Sequence, residues 1–265
     1  MMAGKVKWAF CEGVDKITSC SELLHPEPAF GAERVAAVFD SQEVSLVGLY
    51  MHGSAALGGF GSASDLDMLG VVIDLPSPGT LARDLVSLQL DHPLELSVVS
   101  AEAAHAPSSP WPYLLHVNGK EHRWQLDDGT GDADLISHYV VTRARGVAVR
   151  GACPSAVIGE VSEDIHRDYL ATELAWALGY ADARYAVLNA ARAQAWHQDG
   201  LVLSKVDGAH WWLTHQGSDS VVQDALEAHI AGGDLGPCDS SQMDFVEAVR
   251  GRLAHSCLLY TSPSP

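Results

Sequence analysis

Apolar residues change rhythm near residue 158. Before it they come in short runs: Val44 to Met51, a second run from about Ser64 to Asp74, Leu94 to Val99, Tyr113 to Val117, and a last one inside Gly146–Gly151. Short apolar runs bounded by turn residues read as buried strands. Between them lie helical patterns. Phe30 to Phe39 carries Val35, Val38 and Phe39 on one face, and Asp132 to Arg145 carries Leu135, Ile136, Tyr139 and Val140. Leu81 to Leu90 reads as a helix capped by Thr80 after the Pro76–Gly79 turn. Residues 1–43 read as mainly helical, with Val14 to Leu24 amphipathic and Pro26 and Pro28 breaking the pattern. Pro107 to Pro112 reads as a loop and Asn118-Gly119 as a turn.

From Glu163 the strand-like runs cease. Helices are expected at 163–180, 182–198, 204–215, 219–231 and 240–255, with Gly200 ending the second and Ser204 capping the third. The expected architecture is therefore α+β: a mixed sheet flanked by helices in residues 1–158, then an all-α helical bundle in residues 159–255. Residues 256–265, ending Thr-Ser-Pro-Ser-Pro, read as a disordered tail or a cloning remnant.

The stretch Leu49 to Asp74 holds the first chemistry. The strand ending at Met51 stops at Gly53-Ser54, and a glycine-rich loop (Gly58, Gly59, Gly61) leads into the next strand. That strand carries Asp65 and Asp67 near its start. Side chains on a strand alternate faces, so the two carboxylates point the same way. Such a pair invites a cation, and an all-oxygen donor set suits Mg²⁺, which takes further ligands from substrate phosphates. Gly53 allows close backbone approach, and a strand ending in Gly-Ser at a helix start offers N–H groups and a hydroxyl to a phosphate. Glu95 interrupts the apolar run Leu94–Val99, an expensive place for an unpartnered carboxylate. If that strand lies beside the Asp65–Asp67 strand, Glu95 becomes a third carboxylate at one site and a candidate base. If not, it sits on a solvated edge.

Composition narrows the function classes. The 265 residues are 47% hydrophobic, and no run approaches ~18 uninterrupted apolar residues, so no membrane span is expected. Lys5 and Lys7 are followed by no apolar run with a cleavage site, so no signal peptide is expected. The five cysteines (Cys11, Cys20, Cys153, Cys238, Cys257) are odd in number and scattered, which argues against a disulfide framework or zinc site and fits a reducing cytoplasm. Net charge is −18, from 34 acidic and 16 basic residues, with no basic patch for nucleic acid. The acidity serves either solubility or an acidic cleft that concentrates a cationic substrate. The thirteen histidines lack ligand spacing, and most are expected on surfaces and helix faces.

Gly-Ser, ten residues, then Asp-x-Asp between apolar strands resembles the signature of the nucleotidyltransferase (polymerase β-like) superfamily. More narrowly, His-Gly-Ser-Ala and Ser-Asp-Leu-Asp, the Leu-Glu-Leu-Ser-Val-Val strand, and a helical C-terminal part with Ser-Lys and a Trp-rich helix resemble the streptomycin/spectinomycin adenylyltransferases, the aminoglycoside 3''- and 9-nucleotidyltransferases. The resemblance runs over roughly residues 45–250, most specifically at Leu49–Leu69, Glu95–Val99, Tyr185–Trp196 and Ser204–Trp212. It implies a nucleotidyltransferase domain at 1–158 and a helical substrate-binding domain at 159–255. It implies a cytoplasmic, monomeric enzyme that uses ATP and Mg²⁺ on a cationic antibiotic held between the two domains. Asp65 and Asp67, with Glu95, would hold the metal, and Glu95 would be the general base. Ser54 and Ser64, after Gly53, would contact the triphosphate, as would Lys205. Asp134 would lie on the nucleotide side, though its match is looser. Trp176 and Asp182 are the candidates for antibiotic recognition, at shorter spacing from Tyr185 than the family pattern, and His229 stands where the family has a tyrosine. Trp111–His116 departs from the pattern. Two rivals stay open: a nucleotidyltransferase with another small-molecule or protein acceptor, and a catalytically idle relative that binds nucleotide or a partner protein.

Overall fold

The computed structural model describes residues 26–255. The Val14–Leu24 helix and the 256–265 tail expected from the sequence lie outside them. The chain divides into two compact units between Val161 and Ser162. The first unit runs α1 (Pro26–Asp40), β1 (Leu46–Met51), α2 (Gly53–Leu57), β2 (Leu66–Val72), α3 (Pro78–Val86), β3 (Leu94–Ser100), α4 (Ala101–His105), β4 (Leu115–Asn118), β5 (Arg123–Gln125), α5 (Leu135–Arg145), β6 (Val147–Gly151) and α6 (Pro154–Val157). The second holds α7 (Glu163–Tyr180), α8 (Ala183–Asp199), α9 (Lys205–His215), α10 (Ser220–Ile230) and α11 (Ser240–His255). The chain thus has the expected α+β class, a mixed sheet with helices followed by helices alone.

The six strands form one sheet in the order β5-β4-β3-β2-β1-β6. β2 and β3 are parallel, joined through α3, and every other neighbouring pair is antiparallel. Alternation along the strands sorts the two faces. Leu49 and Met51, Leu66, Met68 and Val72, Leu94, Leu96 and Val98, and Leu115 and Val117 share one buried core with Val35 and Phe39 of α1 and Leu81 and Leu85 of α3. The other face presents Asp67, Leu69 and Val71 of β2 and Glu95, Ser97 and Val99 of β3. Here α4 packs against β2 and β3, α6 against β1, and α5 against α2 and α6. Arg143 ties α5 to the end of this unit by donating to the carbonyls of Ser155 (2.7 Å) and Ile158 (2.7 Å) and to Glu160 (2.9 Å).

Two helix starts and the state of one cysteine differ from the sequence expectations, and one strand escapes them. α1 begins at Pro26 instead of Phe30, and its first turn accommodates Pro26 and Pro28, because N–H groups of the first turn have no intrahelical acceptor to lose. α3 starts at Pro78 behind Ser77 and ends at Val86, so Thr80 lies inside the first turn instead of capping it; proline at the first helical position outweighs a nearby threonine. Three exposed residues, Arg123–Gln125, form edge strand β5 without any hydrophobic alternation to announce it. Cys153 is disulfide-bonded, which the scattered cysteine spacing does not reveal, while Cys238 is free.

In the second unit α8 is central, packing against α7, α9, α10 and α11. Its buried positions are mostly small: Ala186, Ala190, Ala191, Ala193 and Ala195. Short side chains around a helix let several neighbours approach it closely, and larger residues on those neighbours (Leu174, Trp211, Trp212, Val246, Leu253) fill the spaces between. Ser162, Asp182, Ser204 and Asp219 each accept a first-turn N–H at the starts of α7, α8, α9 and α10. Gly200 ends α8 at φ 68°, a left-handed conformation that glycine adopts without steric cost.

This unit also buries His166 (4% exposed), its ring edge-on to Trp196 at 4.3 Å and both ring nitrogens without a hydrogen-bond partner. Burial first, and the nearby Arg192 charge second, lower its pKa from 6.5 to about 4. The unfolded chain takes up this proton near pH 6.5, so the stability that neutral His166 contributes is complete above that value. It is lost as pH falls through the interval down to about 4. His166→Phe keeps an aromatic ring against Trp196 without a titrating group. Its urea-unfolding free energy should fall less than the wild type's between about pH 7 and about pH 4.5. Equal losses in the two proteins would remove His166 as a source of acid sensitivity.

Candidate active site

β2 and β3 run in parallel register, with Asp67 directly beside Glu95. Both residues lie on the sheet face away from the main core and are half-buried. Asp65 precedes the first residue of β2, held between two contacts with the chain entering β3. His92 Nδ1 lies 2.9 Å from the Ser64 carbonyl, and the Leu66 N–H donates to the Pro93 carbonyl at 2.7 Å. The strand mouths are thus fastened together where the carboxylates sit.

β1 delivers Gly53 and Ser54 to the same place. The His52 N–H donates to the Asp67 carbonyl at 2.9 Å, and Gly53 follows at φ +55°. A Cβ at Gly53 would lie 1.8 Å from Asp67 Oδ2, so only glycine lets the Asp67 carboxylate occupy this position. Ser54 is half-buried in the first turn of α2, and the loop after it folds back through a Gly59 N–H bond to the Ser54 carbonyl (3.0 Å). Ser64 closes that loop. Its Oγ accepts from the Gly61 N–H at 3.0 Å, and its own N–H donates to the Gly61 carbonyl at 2.9 Å.

Charge is concentrated here. Burial raises the pKa of Glu95, and the neighbouring carboxylates Asp65, Asp134 and Asp132 push it further the same way, while His138 opposes them. Asp134 is therefore in electrical contact with Glu95 from the start of α5, where its backbone N–H is bound by Asp132 Oδ1 (2.9 Å). His116, on the neighbouring β4, has its pKa lowered by burial, with Asp132 and Asp134 opposing. Behind them His52 is 4% exposed, and its ring packs on that of His138 at 4.8 Å. Burial, and then the neighbouring His138, hold the His52 pKa well below the ordinary imidazole value.

Asp132, His52, His116 and His138 escape the sequence reading; of the histidines, buried His52 and half-buried His116 of β4 lie away from surfaces and helix faces, while His138 lies on α5. Two signals were available. His52 directly precedes Gly53-Ser54, and His138 follows Asp134 by one helical turn.

Among the described residues no three His, Cys, Asp or Glu side chains converge to hold a metal ion by themselves. The donor set at Asp65 and Asp67 is nevertheless all oxygen, and like charges raise Glu95 beside it. A cation held there would relieve this repulsion and would need further ligands from outside the protein, a donor set that suits Mg²⁺.

The remaining sequence candidates lie in the helical unit. Lys205 is the first residue of α9, with its Nζ 4.6 Å from the Tyr185 ring centre. Tyr185 Oη donates to Glu173 at 2.7 Å. The pKa of His229 is lowered by burial first and then by the charges of Lys205 and Arg184, so three basic side chains gather near the starts of α8 and α9. Asp182 caps α8. Its Oδ1 accepts the Arg184 N–H (3.0 Å) and its Oδ2 the Leu235 N–H (2.9 Å). Trp176 is 49% exposed and stacks on the more open Tyr180 at 6.1 Å.

No helix among the described residues is long and apolar enough to cross a membrane. Residues 157–253 match the model of the aminoglycoside adenylyltransferase C-terminal domain. No curated protein matches the chain in sequence. Among solved structures, the chain is similar to spectinomycin adenyltransferase AAD(9) from Enterococcus faecialis, crystallised with ATP and spectinomycin. The TM-score is 0.64 at 14% identity, over 86% of this chain and 99% of that one. At that identity the likeness carries the fold.

Proposed function

We propose, for a chain whose residues 157–253 match the model of the aminoglycoside adenylyltransferase C-terminal domain, that it transfers AMP from ATP to a hydroxyl of an aminocyclitol antibiotic such as streptomycin or spectinomycin. The observation that carries this reading is the Asp67–Glu95 pairing on one sheet face, with Gly53 making room for the Asp67 carboxylate. The bound ligands of the structural neighbour point the same way.

In this reading residues 1–158 bind nucleotide and residues 159–255 recognise the acceptor. Ser54 and Ser64 contact phosphate oxygens from either side of the glycine-rich loop. Asp65 and Asp67 hold Mg²⁺, with Glu95 beside them. When bound, the ion neutralises charge that builds on the transferring phosphoryl group. Glu95 takes the proton of the acceptor hydroxyl, a task suited to a carboxylate whose pKa its surroundings raise. The Lys205 ammonium is a further phosphate contact, and Asp134 a nucleotide-side group. Trp176, with an exposed face, suits a guanidinium or ammonium, and Asp182 adds negative charge for the same cation. A cytoplasmic monomer is the working form.

Pyrophosphate release from Mg²⁺–ATP, measured with a panel of aminocyclitols, tests the reading. Release with streptomycin or spectinomycin, absent in Asp65→Ala, is the expected result. ATP binding without release for any aminocyclitol would move the acceptor to another class of hydroxyl. Failure to bind ATP would leave an idle relative.

A further inference from the structure

The glycine-rich loop between α2 and β2 is anchored by a residue that neither the resemblance nor the motif includes. His92 lies just before β3 and is 8% exposed. Its Nδ1 is 2.9 Å from the Ser64 carbonyl. A carbonyl only accepts, so His92 carries its proton on Nδ1 in this bond. Its ring also packs on Phe60, from the middle of the loop, whose ring centre lies 4.5 Å from the imidazole with the planes at 58°. One side chain therefore touches the loop twice, at Phe60 and at Ser64, immediately before Asp65. The Gly59–Ser54 and Gly61–Ser64 bonds add to this hold within the loop, and the Leu66–Pro93 bond lies beyond it.

We propose that His92 is a positioning residue for the nucleotide, holding the Phe60–Ser64 loop so that Ser64 and Asp65 are already set for the triphosphate and its metal. The inference rests on the nucleotidyltransferase reading above and adds to it a residue that touches no substrate. Its physical basis is preorganisation. A loop of three glycines is costly to order at the moment of binding, and a side chain that orders it beforehand removes that cost from ligand affinity. Ser64 also gains a fixed backbone orientation, because its carbonyl is tied to the β3 side while its N–H is tied to Gly61.

The two amide substitutions separate this role from ordinary packing. The terminal amide nitrogen of asparagine falls close to where histidine holds Nδ1, whereas that of glutamine falls close to Nε2. His92→Asn and His92→Gln both remove the ring from Phe60, but only asparagine keeps a donor aimed at Ser64. The expected result is an Mg²⁺–ATP dissociation constant weakened about tenfold in His92→Gln, with most of that loss recovered in His92→Asn. The KM for ATP should follow in the same order, with kcat for saturating ATP nearly constant. Amide hydrogen exchange across residues 59–66 should be faster in His92→Gln than in His92→Asn. Equal ATP affinity in His92→Gln and wild type overturns the proposal. So do equal losses in the two variants that track a common fall in melting temperature. Absence of Mg²⁺–ATP binding by the wild type itself overturns the nucleotidyltransferase reading, and the positioning role with it. That failure is recognised because it precedes any substitution.

Discussion

Glu95→Gln is expected to lower AMP transfer by ~10²–10⁴-fold while leaving Mg²⁺–ATP binding in place. Glutamine has nearly the shape of glutamate but cannot take a proton from a hydroxyl. The nucleotide contacts assigned to Ser54, Ser64, Asp65 and Asp67 survive the change, so the loss falls on kcat. The same substitution should leave the melting temperature unchanged or raise it. Burial and the like charges of Asp65, Asp134 and Asp132 make ionised Glu95 an unfavourable group in the ligand-free protein, and a neutral amide removes that repulsion. A catalytic carboxylate held at such a cost to stability is the usual pattern of active sites. Single-turnover transfer, measured with ATP affinity and thermal denaturation, reads all three quantities. Near-wild-type turnover in Glu95→Gln would assign the base elsewhere.

Gly53→Ala should weaken Mg²⁺–ATP binding and transfer together, by roughly 10²-fold, with only a modest loss of stability. The added methyl would meet Asp67 Oδ2 at 1.8 Å and its carboxyl carbon at 2.6 Å. The carboxylate must rotate away from the position in which the proposed function has it hold the metal. Alanine at φ +55° costs a further ~1–2 kcal/mol, because its Cβ crowds the following carbonyl. The clash is with a side chain, so the fold can absorb it where the site cannot. Asp67→Asn makes the complementary test, since it keeps the shape and removes the charge. If Gly53→Ala binds Mg²⁺–ATP as tightly as wild type, the Asp67 carboxylate position is not what holds the metal.

Much of this arrangement is legible in residue patterns because local rules govern it. The alternation of β2 places Asp67 on the face opposite Leu66 and Met68 without any knowledge of the sheet. The helices of the second unit announce themselves through caps, with Gly200 ending α8 and Ser204 opening α9. What the sequence leaves conditional is strand adjacency. Whether Glu95 joins the aspartates depends on β3 pairing with β2, a contact across the whole of α3 that no local pattern encodes. The same limit hides Asp132, His116 and His138. Each reaches the site from β4 or α5 through tertiary packing, and a histidine on a helix face reads as ordinary until its neighbours are known. β5 is missed for another reason: three exposed polar and aromatic residues gain strand geometry only from pairing with β4.

The parallel pairing of β2 with β3 also limits how this protein can fail. Leu66, Met68, Leu94 and Leu96 fill the main core from one side of the strands whose other side carries Asp67 and Glu95. Sliding either strand by one position would turn that strand's core side chains, Leu66, Met68 and Val72 or Leu94, Leu96 and Val98, out of the interior at the same moment that it separates the carboxylates. A folded molecule with the two acids out of step is therefore too unstable to accumulate. Damage that shifts the strands reduces the number of competent molecules, while those that remain keep the full rate. A lowered specific activity with unaltered kcat per active site is then the mark of a chain edited within β2 or β3, and a lowered kcat the mark of a change to a side chain.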